Sequence, residues 1–142
     1  MIGVKFMLKN KAVEMWDVSH DLNCAETILY AANDFYNLNL SKDTLKVMSS
    51  FGGGFAIGET CGAAAGAVAV IGIMFTETRG HQSPKTRELT KLFMNKFYDK
   101  LGTYKCTELK EKYKYNDSRR CLIMIETAAD ALEEVIKLEK EN

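Results

Sequence analysis

The chain has 142 residues, 46% hydrophobic and 27% charged, with 19 Lys plus Arg balanced by 19 Asp plus Glu. That length supports one domain with a sizeable core, and the composition excludes a disordered chain. The charge balance leaves no net field to attract nucleic acid or an anionic membrane surface, so neither is an expected partner.

Residues 1–20 read as an N-terminal helical arm, with a short first helix over about Lys9 to Asp17 that presents Val13 and Trp16. The apolar run Ile2 to Leu8 is broken by Lys5, and no small-residue cleavage site follows, so it does not read as a secretory signal. A second helix is predicted from about Leu22 to Tyr36, with Asp21 as its N-cap. Its apolar residues Leu22, Ala25, Ile28, Leu29, Ala32 and Phe35 recur at steps of three and four. Ser41 opens a third, shorter helix through Leu45 and Met48, which the glycine loop Phe51-Gly-Gly-Gly-Phe55 ends.

A fourth helix is expected from near Thr60 to Phe75. The run Cys61 to Phe75 has 15 residues, rich in Gly and Ala, short of the roughly 20 apolar residues that span a bilayer. With no signal and no span, the expected location is the cytoplasm. There, structural disulfides are rare and cysteines more often serve metals or redox chemistry. Ser83-Pro84 opens the fifth helix, with proline at the first position, where its missing N–H costs nothing. Leu89, Leu92, Phe93, Phe97 and Leu101 form its stripe, and Gly102 closes it. A short helix follows Cys106. Asn116-Asp117-Ser118 caps the last, whose stripe is Leu122, Ile125, Ala128, Ala129, Leu132, Val135 and Ile136, ahead of a charged tail over 139–142 expected to fray. The fold class is therefore all-α, a single-domain bundle of about five to seven helices.

The chain holds four cysteines, Cys24, Cys61, Cys106 and Cys121, each near a predicted helix start. Unpaired N–H groups and the partial positive charge there favour thiolate over thiol. Lys105 before Cys106 and Arg119-Arg120 before Cys121 add cations, whereas Glu59 opposes ionisation of Cys61. Each cysteine also lies on or beside an apolar stripe, the pattern of a small buried hydrophobe. No CxxC pair exists, since the intervals are 37, 45 and 15 residues, so spacing carries no zinc-ribbon or ferredoxin signature. His20, four residues before Cys24, is an auxiliary candidate; His81 reads as an exposed boundary residue.

Gly58, Gly62 and Gly66 fall four residues apart. Glycine within a helix costs about 1 kcal/mol relative to alanine. Such positions fit either close approach of a cofactor or tight helix packing, inside the monomer or across a homodimer. The segment lacks the lysine and hydroxyl ending of a phosphate-binding loop.

The segment Cys61-Gly62-Ala63-Ala64-Ala65-Gly66 matches a CGAxxG motif. With Cys24 before it, Cys106 and Cys121 after it, and the glycine loop between, the chain resembles the C_GCAxxG_C_C family from about Asp21 to Leu138. Members are described as redox-active proteins of about this length, which implies a joint redox role for the four cysteines. The leading expectation is that Cys24, Cys61, Cys106 and Cys121 hold a metal centre, most simply an iron–sulfur cluster, for electron transfer or redox sensing. Zinc or no metal is the alternative. Gly58, Gly62 and Gly66 would leave room for it. The other readings are a metal-free thiol–disulfide oxidoreductase, with Cys106 and Cys121 the natural pair, and a non-enzymatic helical interaction module with core cysteines. An unidentified redox protein is the expected partner.

Overall fold

The computed structural model describes residues 6–141; the start of the expected N-terminal arm, 1–5, and Asn142 of the expected tail lie outside the described residues. Among the described residues the protein is an all-α bundle with seven helices: α1 (Leu8–Met15), α2 (Cys24–Phe35), α3 (Lys42–Lys46), α4 (Gly62–Phe75), α5 (Pro84–Leu101), α6 (Cys106–Lys112) and α7 (Leu122–Lys140). No strand is formed among them, only one isolated antiparallel bridge between Thr60 and Lys105.

Helix α4 is apolar all round and is the central helix of the bundle, although Ile73 is exposed. It packs on α2, α5 and α7, and Ala63, Ala64, Ala67, Val70 and Ile71 are fully buried. The predicted stripes are the buried ones. Ala25, Ile28, Leu29 and Ala32 of α2, Leu89, Phe93, Phe97 and Leu101 of α5, and Ile125, Ala128, Ala129, Leu132, Val135 and Ile136 of α7 all lie in the core. Helix α1 lies against α2 and α7 and buries Leu8, Ala12 and, at its end, Trp16; of the two residues singled out from the sequence, Trp16 is buried and Val13 is exposed.

The helix starts differ from the sequence expectation in instructive ways. The N-cap of α2 is Asn23, not Asp21. Its Oδ1 accepts the Glu26 N–H at 2.8 Å, while Glu26 Oε1 accepts the Asn23 N–H at 3.0 Å. This reciprocal box satisfies two orphan donors at once. Asp21 instead turns the chain in the left-handed region at φ 53°. Ser41 caps α3 as expected, accepting the Thr44 N–H at 3.1 Å. Ser83 precedes Pro84 but its hydroxyl turns away, accepting the Glu77 N–H at 3.3 Å. The start of α7 is served by Asp117, whose Oδ1 accepts the Leu122 N–H at 3.2 Å.

The glycine loop is a left-handed turn. Gly53, Gly54, Phe55 and Ala56 take φ values of 63°, 63°, 61° and 68° in succession. Glycine adopts this region freely, whereas an L-residue there costs roughly 1–2 kcal/mol. The turn packs on α6, and Phe55 lies edge-on to Phe51 at 5.0 Å.

Candidate thiol site

All four cysteines sit at helix starts: Cys24 and Cys106 are the first residues of α2 and α6, and Cys61 and Cys121 are the N-caps of α4 and α7. All four are buried, at 6%, 4%, 7% and 7% exposure in chain order, and reduced.

Two local devices gather them. The first is the Thr60–Lys105 bridge, in which the Cys61 N–H donates to the Tyr104 carbonyl at 2.8 Å and the Cys106 N–H donates to the Glu59 carbonyl. It sets the residue before Cys61 beside the residue before Cys106. The second is bare backbone, supplied by the left-handed turn and by the start of α4. A Cβ on Gly54 would lie 2.6 Å from Cys106 Cβ, and one on Gly62 would lie 2.5 Å from Cys24 Sγ. Glycine beside Cys106 and beside Cys24 is thus a packing requirement.

The thiols are not equivalent. Hydrogen bonding with the Cys121 thiol is the main cause that holds Cys24 down to about 6, against burial; the Gly53 N–H, the Lys110 charge and the Ala25 N–H help. Cys121 is pushed well up by its interaction with Cys24 and by burial. The two thiols therefore titrate as a pair, and the first proton leaves it more readily than it leaves an ordinary thiol. Burial pushes Cys61 up to about 12, aided by the Cys24 charge, even though the Ala63 and Ala64 N–H groups point at its sulfur. Burial also raises Cys106.

The cations named from the sequence act elsewhere. Lys105 pairs with Glu59 at 3.7 Å, and Arg119 lies on the Trp16 ring. The lysine whose charge acts on Cys24, Cys106 and Cys121 is Lys110. Its signal was available in the sequence, four residues after Cys106 on one helix face. His20 is exposed, at the end of the turn that precedes α2.

The three glycines have separate neighbours. Gly66 lies against α2, where a Cβ would be 2.6 Å from the Ala25 carbonyl oxygen and 3.0 Å from Ile28 Cβ, the geometry of close helix packing. Gly58, at φ 73°, lies against Thr107. Only Gly62 borders a sulfur. An apolar cavity of about 380 Å³ is lined by Met48, Phe51, Phe55, Thr60, Val68 and Met94. Among the described residues no group of three or more Cys, His, Asp or Glu side chains is placed to hold a metal ion.

Four buried cysteines at the starts of four helices in an all-α bundle are the defining feature of the site. The chain belongs to the C_GCAxxG_C_C family, "Putative redox-active protein (C_GCAxxG_C_C)", whose model matches residues 22–135 and so includes all four cysteines. No curated protein and no solved structure gives a significant match. No helix is long and apolar enough to cross a membrane among the described residues.

Proposed function

We propose that this protein is a thiol–disulfide redox protein in which Cys24 is the attacking thiolate and Cys121 the resolving thiol. What supports the reading is the coupling of the Cys24 and Cys121 thiols, which holds Cys24 below the ordinary thiol range. A thiolate is the nucleophile in disulfide exchange, and a thiol with a pKa below the ambient pH is ionised and ready.

The Cys24 thiolate attacks one sulfur of a disulfide on the oxidising partner, whose S–S bond breaks as a partner thiolate leaves. That thiolate takes the proton of Cys121. The Cys121 sulfur then attacks Cys24 in the mixed disulfide, closing the Cys24–Cys121 bond and expelling the second partner thiolate, which takes a proton from water. Two electrons pass from the pair to the partner disulfide. Burial raises both Cys61 and Cys106, and the Cys24 charge adds to it, so these two remain thiols beside the reacting pair. Such a reversible pair suits a compartment that keeps thiols reduced, such as the cytoplasm.

The mutual influence of all four sulfurs favours a second reading, in which they hold an iron–sulfur cluster or zinc. As placed, the side chains do not form a ligand set, so the disulfide reading takes precedence. One preparation tests both. Protein purified without oxygen is analysed for iron, zinc and sulfide, then equilibrated in glutathione buffers, alkylated and mapped by mass spectrometry. A reversible Cys24–Cys121 disulfide in metal-free protein is expected. Stoichiometric metal bound through the cysteines, or a pair that stays reduced at every cytosolic potential, would overturn the proposal.

A further inference from the structure

The segments that carry the two pairing cysteines are held together by one side chain. Arg119 stands two residues before Cys121, and Leu22 two residues before Cys24. The Arg119 guanidinium donates from Nη1 to the Leu22 carbonyl at 3.3 Å and from Nη2 to the Trp16 carbonyl. Its central carbon lies 3.3 Å from the centre of the Trp16 ring. The Trp16 indole N–H in turn donates to Asp117 Oδ2 at 3.2 Å, and the other oxygen of that carboxylate accepts the first N–H of α7. Trp16 is buried and Arg119 half-buried. One fork thus ties both sides of the cysteine pair, and the stacked indole locks the fork in place.

We propose that Arg119 is a positioning residue that holds Cys121 against Cys24. The inference rests on the disulfide reading above. Without a tie, closing a bond between residues 97 apart in sequence requires ordering the intervening connections each time. Guanidinium suits this task and ammonium does not. Its planar set of donors reaches two carbonyls while its face stacks on the indole. The turn that follows is also fixed, since Arg120 sits in the left-handed region at φ 63°.

The test uses the full chain as wild type, R119A and R119K, with L89A as a control that cuts a buried side chain of α5, a helix that supplies no group to the clamp. Each is equilibrated with oxidised and reduced dithiothreitol, and the ratio of Cys24–Cys121 disulfide to dithiol is read by alkylation and peptide mapping. R119A is expected to lower that ratio on the order of tenfold, the scale of losing charge-assisted hydrogen bonds. R119K should fall between R119A and wild type. L89A should lose more stability to urea yet keep the wild-type ratio. An unchanged ratio in R119A, or equal shifts in R119A and L89A, overturns the proposal. A wild-type protein that forms no such disulfide removes the redox reading instead. The clamp is then judged by bridging of Cys24 to Cys121 with phenylarsine oxide, which must weaken in R119A for the clamp to stand.

Discussion

Substituting Gly62 by alanine tests the packing of the thiol site most directly. The new Cβ would lie 2.5 Å from Cys24 Sγ, 2.9 Å from the Phe51 carbonyl oxygen and 3.3 Å from Gly52 Cα. Two of these neighbours are backbone, so the sulfur has to yield. Alanine gains at most about 1 kcal/mol of helix propensity, and less at the first position of a helix. Overpacking a tight site costs about 1–3 kcal/mol. The net expectation for G62A is a loss of about 1–2 kcal/mol. Displacing the sulfur also weakens its contacts with Cys121 and Gly53, so the Cys24 midpoint should climb from about 6 toward the ordinary thiol range. Gly72 supplies the contrast within the same helix, because a Cβ there meets nothing within 4 Å. G72A should therefore be neutral or stabilising by up to about 1 kcal/mol, with an unchanged Cys24 midpoint. Urea unfolding reads the stability, and ultraviolet absorbance of the thiolate reads the midpoint. If both variants shift stability the same way and neither moves the midpoint, the close approach at Gly62 has been misjudged.

C121A removes the main cause that holds Cys24 down, so its thiolate should form at higher pH, as followed by the rate of alkylation against pH with a small reagent. Because the folded pKa of Cys24 is depressed below its unfolded value of about 8.5, its contribution to stability is present above that value and is lost as pH falls through about 6. Urea midpoints should thus rise with pH in this window, toward a limiting slope of about 1.4 kcal/mol per pH unit, and C24S should flatten the rise. Cys61 acts with the opposite sign. Its folded pKa is raised, so its contribution is present below about 8.5 and declines as pH rises toward about 12, which C61A would reveal as better stability in alkali. N23A should cost about 1 kcal/mol by removing the capping box of α2, seen as a lower urea midpoint; little change would mean the box contributes nothing.

The helices and their buried faces were legible because periodicity is a local signal. Leu89, Phe93 and Phe97 recur at helical steps and are buried for that reason. The cysteines' helix starts were legible too, since caps, proline and glycine punctuate the chain. What was not legible was which thiols act on one another. Cys106 and Cys121 are near in sequence, yet the group that shifts Cys121 most is Cys24. Adjacency in sequence says little about which helix ends meet in a bundle. Arg119 misled for the same reason, because a cation next to a cysteine in sequence can spend its charge and donors on a tryptophan and two carbonyls. Asp21 was a reasonable cap by residue type, but Asn23 has Glu26 three residues later and so completes the reciprocal pair.

The acidity of Cys24 has a consequence for how the molecule is made. Its chief cause is a thiol 97 positions further along the chain, and Lys110 is also distant. A ribosome that has delivered only the first hundred residues has delivered a cysteine of ordinary acidity. The depressed pKa of Cys24 is complete only when α7 docks and brings Cys121 with it. Acidity at Cys24 is thus a mark of completed folding.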